Sequence, residues 1–200
     1  MSFFKKGFTH RRSPSQGCIR NPLLTTRRQS MNTLEPKIYV ACLAAYNNGY
    51  LHGKWIDANQ SSDELHEAVK EILAASPIPH AEEWAIHDYE DFGNIQIEEY
   101  TSLETVSEIA AFISEHGELG AELISYANGD LEEARSLLEE NYYGTYDSVT
   151  DFAISITEES TDIPESLACY IDYEAMAQDL FICDFFVINI NSKFHVFRTF

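Results

Sequence analysis

The sequence predicts an α+β protein in which three small domains follow one another in an elongated chain. Short runs of β-branched and aromatic residues lie near both ends, whereas apolar residues in the middle recur at helical spacing. No internal repeat is visible. We expect a small antiparallel sheet plus a helix over 37–100, a helical unit over 101–142, and helices plus a terminal β-hairpin over 143–200. Such small domains bury little core each, and placing them end to end lowers the mutual repulsion of a high charge.

The first domain is predicted to contain three strands. Residues 37–47 (KIYVACLAAYN) form a short apolar run that the turn-forming residues 47–49 (Asn-Asn-Gly) end. Residues 50–58 are the expected hairpin partner, because Asn and Gly tolerate the positive φ that tight turns require. Residues 82–90 (EEWAIHDYE) predict the third strand.

One helix is predicted between the second and third strands. Ser61 is the candidate N-cap, and Glu64, three residues later, completes a capping box. The helix is expected to run to about Ala75, since Pro77 cannot continue it. Its apolar stripe consists of Leu65, Val69, Ile72 and Leu73.

The middle domain is predicted to be three consecutive helices. The first covers 101–116 and is closed by Gly117, and the second covers 118–127. Asp130 is the expected N-cap of the third, over 131–142.

The last domain is predicted to begin with helices over 147–158 and 172–182. Strands over 185–190 and 193–200 follow, joined by a two-residue turn, Asn191-Ser192.

Residues 1–30 differ in composition from the rest of the chain, with seven Lys or Arg and no acidic residue. Three explanations remain open: a mis-assigned start whose true initiator is Met31, a disordered basic tail, or a transit-type leader. We favour Met31, because the fold-like pattern begins just after it, and we leave residues 1–36 out of the predicted fold.

Charge is the most unusual property of the remaining sequence. Between Asp57 and Asp184 there are 32 Asp and Glu against two basic residues, Lys70 and Arg135. Such a surface is repelled by nucleic acid and by anionic lipid, so we expect neither to bind directly. It favours a basic partner site that normally holds nucleic acid, although an ordinary solvated surface or adaptation to high salt is an alternative.

Compartment and membrane association are also predicted from composition. No run approaches 18 apolar residues, so no membrane span is expected. Four widely spaced cysteines favour reduced thiols in a cytoplasm over a disulfide framework or a zinc site. They are Cys18, Cys42, Cys169 and Cys183.

No catalytic constellation is visible, and we predict that the protein is not an enzyme and uses no cofactor. The nearest match to a metal site is residues 88–99, which align with a calcium loop at Asp88, Glu90, Gly93 and Glu99. Phe92 stands where a ligand is required, and the preceding segment is strand-like, so we expect a turn here instead.

Carboxylates in the second half of the chain alternate with apolar positions, which predicts that they are displayed to solvent in place of DNA phosphates. The predicted phosphate-mimicking residues are Glu104, Glu108, Glu115, Glu118, Glu122, Glu132, Glu133, Glu139, Glu140, Asp147, Asp151, Glu158 and Glu159. A sequestering or chaperone module for another basic protein is the alternative function.

Three segments resemble the ArdA-type antirestriction proteins, in order and with similar spacing: IYVACLAAYNNGYLHGKWIDA, AEEWAIHDYEDFG and LLEENYYGTYDSVTDFA. The resemblance covers about 37–200. It implies a curved homodimer that imitates bent B-form DNA, needs no cofactor and is carried by mobile elements. Such proteins occupy the DNA channel of Type I restriction-modification enzymes, blocking restriction and often modification.

The resemblance also implies an antirestriction motif over 138–151 (LEENYYGTYDSVTD), which we assign to a domain junction and a dimer contact. Gly144 is expected to provide a backbone bend. For the aromatic residues of the motif, an ordinary core role is the alternative. The motif residues are Leu138, Tyr142, Gly144, Tyr146, Ser148 and Asp151.

Overall fold

The structure, a computed structural model, describes residues 34–199. The α+β class is confirmed, with helices and two small antiparallel sheets. The predicted start at Met31 and the basic segment 1–30 lie outside the described residues.

The first sheet has strand order β2-β1-β3, with both pairs antiparallel. Strand β1 is Lys37–Cys42, β2 is Gly53–Asp57 and β3 is Trp84–Glu90. All three predicted strands exist, and 37–58 forms the predicted hairpin.

The prediction that β1 continues to residue 47 is wrong, because Leu43–Asn47 forms a short helix, α1. The amide of Leu43 still donates to the carbonyl of Glu83, its opposite residue in the β1–β3 register, at 3.0 Å, and the chain becomes helical from this residue onward. The side-chain amide of Asn48 then donates to the Ala44 carbonyl at 2.8 Å, which satisfies a carbonyl at the end of the turn. Alanine-rich sequence tolerates this helical turn, although the same residues also fit an apolar strand pattern.

Helix α2 spans Ser62–Ala74 and begins as predicted. The Ser61 hydroxyl accepts from the Glu64 amide, and the Glu64 carboxylate accepts from the Ser61 amide at 3.0 Å, which completes the capping box. Leu65, Val69 and Ile72 are buried against the first sheet, as the apolar stripe predicted.

We expect the capping box to make stability depend on pH. The pKa of Glu64 lies below its usual value because the Ser61 hydroxyl and amide both donate to the carboxylate. A carboxyl with a lowered folded-state pKa contributes stability above its unfolded pKa and loses it as the pH falls through the folded value. Thermal unfolding of Glu64→Gln should therefore show a lower Tm than wild type at pH 7, and the difference should vanish near pH 3.

A matched double variant tests the cause of this effect. In a Ser61→Ala background the hydroxyl bond is lost but the backbone amide of residue 61 can still donate, so Glu64→Gln should lower the Tm at pH 7 by less than it does in wild type. A Tm difference as large as in the wild-type background would contradict a contribution from the Ser61 hydroxyl.

The middle of the chain forms helices α3 (Leu103–Tyr126) and α4 (Leu131–Glu140). Gly117 interrupts α3 with φ 61° and ψ −143°, so the two predicted helices meet at a kink where glycine avoids the steric cost of positive φ. Asp130 caps α4 by accepting from two amides, as predicted.

The second sheet has strand order β4-β6-β5, and its predicted terminal hairpin is confirmed. Strand β5 is Phe185–Ile190 and β6 is Lys193–Arg198. Asn191 and Ser192 both have positive φ (51° and 63°), which matches the turn that closes right-twisted hairpins.

Strand β4 (Tyr142–Tyr146) was not predicted and pairs with β6. The predicted third helix ends at Glu140, two residues early, because the Asn141 carbonyl accepts from the Arg198 amide at 2.9 Å and starts the ladder. The residues of β4 match a strand composition, but their pairing partner lies about fifty residues later.

Three further helices complete the described residues. Helix α5 is Val149–Ser160 and α7 is Tyr173–Cys183, close to the two predicted helices. A four-residue helix, α6 (Glu165–Ala168), was not predicted. No helix within 34–199 has both the length and the apolar character needed to cross a bilayer.

The buried core consists of a large and a small cluster. The large cluster runs continuously from Ile38 in β1, through α2, α3 and α4, to Phe197 in β6. The small cluster comprises Phe152, Phe185 and Val196. Apolar packing therefore continues across the predicted boundary at 100–101, and the division into three domains stays a prediction.

A candidate acidic interface

The acidic side chains lie at the surface of the described fold. All 33 Asp and Glu residues lie between Glu35 and Asp184, and none is buried. Twelve of the thirteen predicted phosphate-mimicking residues are exposed, and Glu122 is partly buried, where it accepts from the Asn94 side-chain amide at 2.9 Å. The role of these residues as phosphate mimics stays a prediction.

Few of these carboxylates have a basic partner. Within residues 34–199, a Lys or Arg nitrogen lies within 4.0 Å of only four carboxylates: Glu35, Glu67, Glu132 and Asp147. Ordinary solvated helix faces mix signs and form pairs between residues three or four apart. The remaining carboxylates repel one another across this surface, and salt screens that repulsion.

Helix α3 arranges its carboxylates along one stripe. At 3.6 residues per turn, Glu104, Glu108 and Glu115 fall within about 40° of one another, opposite the buried residues. The pKa of Glu104 is lowered, chiefly by a hydrogen bond from its own backbone amide. Beyond the kink, Glu118 and Glu122 are again one turn apart.

Carboxylates also occupy helix ends where they reduce stability. None of the seven described helices has a basic residue in its last turn. Instead, α4 ends with Glu139 and Glu140, and α5 carries Glu158 and Glu159 in its last turn. The helix dipole favours cations at this end, so these four residues oppose helix stability.

The predicted motif residues form β4 and its two flanking helix ends. Gly144 has φ 113° and follows a register shift, so Tyr143 is an extra residue bulged out of the ladder. Tyr142 packs on the large core cluster and Tyr146 on the small one. The motif therefore connects the two clusters, and its aromatic rings contribute to both.

The other motif residues have local structural contacts. Leu138 packs against the large cluster. Ser148 caps α5 by accepting from the Asp151 amide at 3.0 Å, and its hydroxyl donates to the Asp151 carboxylate at 2.7 Å. Asp147 binds Lys193 of β6. These contacts hold the strand and the following helix together.

One polar cluster beside the motif was missed from sequence. The Tyr142 hydroxyl lies 2.8 Å from His195 Nδ1 and 2.9 Å from Thr145 Oγ1. Burial raises the pKa of Tyr142 and lowers that of His195. His195 lies 53 residues after Tyr142, so only the β4–β6 register brings the two side chains together.

We expect His195 to destabilise the fold under mild acid. Its imidazole has a lowered pKa when folded, so the unfolded chain binds a proton first as the pH falls below about 6.5. Urea unfolding should show a smaller loss of stability between pH 7.5 and 5.5 for His195→Gln than for wild type. An unchanged pH dependence in this variant would show that the burial of His195 has no energetic effect.

The calcium-loop alternative lacks a suitable geometry. Asp88 and Glu90 belong to β3, and Phe92, at a ligand position, is a buried core residue. No three His, Cys, Asp or Glu side chains in the described part of the chain are grouped closely enough to hold a metal ion.

Comparison with known proteins adds one decisive finding. A family profile described as antirestriction protein (ArdA) matches residues 38–192, which include the first sheet from Ile38 onward, the motif, and strands β4 and β5 of the second sheet. The chain belongs to the ArdA family. A comparison with curated proteins produced no match. The resemblance noted from sequence is thus confirmed at the level of the family, and ArdA proteins are antirestriction proteins, that is, inhibitors rather than known enzymes.

Proposed function

We propose that this ArdA protein inhibits Type I restriction-modification enzymes by occupying their DNA-binding channel. Its carboxylates take the positions of DNA phosphates, and lysine and arginine side chains of the enzyme bind them. Restriction is blocked because the DNA cannot enter, and modification is blocked wherever it uses the same channel.

The observation that carries this proposal is the exposed and largely unpaired set of carboxylates. Duplex DNA carries two phosphate charges per base pair, so the net charge of −30 between Asp57 and Asp184 equals that of about 15 base pairs. The stripes on α3 and the carboxylates at helix ends lower the stability of the free protein. A basic channel relieves that repulsion on binding.

We also propose a homodimer, formed through 143–200 with the motif near the contact. We place it in the cytoplasm and expect a mobile element to encode it. Two subunits would double the length of duplex that is imitated. The ArdA membership supports this assembly. Light scattering on the full chain would test it: a mass near twice the 22.8 kDa of one chain is expected.

A restriction assay tests the inhibition. Full-length protein is titrated against a Type I enzyme at fixed concentration, with ATP and unmodified plasmid. Inhibition is expected near stoichiometric ratios, and added competitor DNA or higher salt should relieve it. Poly-glutamate at equal total charge is the control, and it should inhibit far less because it lacks a fixed arrangement of charges.

Two outcomes would count against the proposal. Inhibition that competitor DNA does not relieve would exclude competition for the channel. No inhibition of any Type I family would favour the sequestering-module alternative, which predicts capture of basic nucleoid proteins.

A further inference from the structure

The outer face of the first sheet carries an aromatic pair. Ile38, Val40 and Ile56 point into the core, so alternation along the strands places Tyr39 and Trp55 on the opposite face. These two residues are direct cross-strand partners in β1 and β2. Trp55, which has the larger ring of the two, is 37% exposed.

The two rings are held in a defined geometry. Their centroids lie 5.6 Å apart with an interplanar angle of 61°, an edge-to-face contact. A Cβ at position 53 would lie 2.8 Å from the Tyr39 ring and 2.5 Å from the Val40 carbonyl oxygen. Gly53 therefore allows the Tyr39 ring to lie close over β2, and the Trp55 face is presented beside it.

Carboxylates stand beside these rings on the same face. Tyr39 pairs across the sheet with Asp88, while Asp57 and Glu90 flank Lys37 in the adjacent row. The only hydrogen bonds within residues 34–199 to Asp57 and Asp88 side chains come from nearby backbone amides to one oxygen each. Their other oxygens remain available to a ligand.

Lys37 is the cation closest in register to these carboxylates. Its ammonium lies 3.4 Å from the Glu35 carboxylate, which precedes the strand, and no carboxylate of this face is within 4.0 Å of it. The face as a whole, with Asp57, Asp88 and Glu90 against Lys37, is net negative.

We propose that this face binds an arginine side chain of the partner protein, with the guanidinium plane stacked on Trp55 and its N–H groups donating to Asp57 or Asp88. The inference rests on the proposed function, since an enzyme channel that binds DNA supplies arginines. It adds a specific contact to an otherwise distributed charge match. Arginine fits better than lysine because its planar group stacks on aromatic rings and donates to carboxylates at the same time.

This contact distinguishes one position from the rest of the acidic surface. Helix carboxylates attract any cation, whereas an aromatic ring beside carboxylates discriminates between arginine and lysine by the shape of the cationic group. Buried Trp–Arg contacts are typical of the residues that dominate interface energetics. We therefore expect Trp55 to contribute more to binding than any single helix glutamate.

A peptide titration tests the site without a restriction enzyme. In a Trp84→Phe background, the remaining tryptophan fluorescence reports Trp55 alone. Hexa-arginine should change this emission with a midpoint about tenfold lower than hexa-lysine at the same ionic strength. Equal midpoints for the two peptides would overturn the proposal, because equal charge would then explain the binding.

A restriction assay tests the same site within the proposed function. Trp55→Leu, which keeps apolar area but loses the ring, should weaken inhibition about tenfold, whereas Trp55→Phe should retain most of it. Tyr50→Ala, an exposed aromatic outside this face, is the matched control and should change inhibition less than about twofold. Thermal unfolding establishes that each variant is folded.

The two assays separate the two possible failures. If wild type inhibits and Trp55→Leu inhibits equally well, the arginine site is wrong while the proposed function stands. If wild type does not inhibit but hexa-arginine is still preferred at Trp55, the proposed function is wrong and the arginine site belongs to another basic partner.

Discussion

Six glutamate-to-lysine substitutions on α3 and α4 are expected to abolish inhibition of a Type I restriction enzyme. Each reversal replaces an attraction by a repulsion, and together they change the net charge by 12, which removes the electrostatic match to a basic channel. We expect the concentration needed for half inhibition to rise by about a hundredfold or more. The substitutions are Glu108→Lys, Glu115→Lys, Glu118→Lys, Glu133→Lys, Glu139→Lys and Glu140→Lys.

The fold should tolerate these changes. All six side chains are exposed, and lysines at 139 and 140 favour the end of α4 where the present glutamates oppose it. The measurement is the restriction titration, with circular dichroism and thermal unfolding on the same samples. Replacing the same six residues by Gln is the matched control and should give an intermediate loss, because it removes charge without adding repulsion.

A single helix carboxylate is expected to matter little. Glu140→Gln alone should change the concentration needed for half inhibition by less than about fivefold, since exposed pairs contribute at most about 1 kcal/mol each. If one such substitution weakened inhibition as much as the variant with all six substitutions, the inhibition would depend on a local contact instead of a distributed charge pattern.

Phe152→Ala is expected to cause the largest loss of stability, about 3–5 kcal/mol. The Phe152 side chain is fully buried and contacts the rings of Tyr143, Tyr146, Phe181 and Phe185, with centroid distances of 4.8 to 5.9 Å. The substitution leaves a cavity in the small cluster. This cluster contains two other buried residues, so few neighbouring side chains can shift to fill that cavity. Urea unfolding would measure the loss.

Hydrogen exchange would show where this loss occurs. Amides in α5, β4 and β5 should exchange faster in Phe152→Ala, whereas those of α2 and β1 should change less, because they belong to the large cluster. Ile182→Ala, whose side chain is 75% exposed, is the control and should change stability by less than about 0.5 kcal/mol. A uniform increase in exchange would indicate that the two clusters unfold as one unit.

Features that depend on neighbouring residues could be predicted from the sequence. The capping box at Ser61, the cap at Asp130 and the break at Gly117 each involve interactions within a few residues, and the structure has all three. The apolar stripes likewise predicted which helix faces are buried. The same patterns predicted that the glutamates between those positions would be exposed.

Features that depend on distant residues could not be predicted in this way. Residues 43–47 fit a strand or a helix equally well from their sequence, and the structure makes them a helix. The Tyr142–His195 contact requires the pairing of β4 with β6. The arginine site needed the register of three strands, because only pairing places Tyr39 between Trp55 and Asp88.

The sequence by itself determined the acidic character, the capped starts of α2 and α4, the terminal hairpin and the ArdA resemblance, because these follow from composition and from contacts between near neighbours. Tertiary structure alone decided that Tyr142–Tyr146 is a strand, that the motif connects two core clusters, and that aromatic and acidic residues share one face of the first sheet. A β-strand is stabilised by hydrogen bonds to another segment, so its existence and its neighbours depend on where the rest of the chain lies.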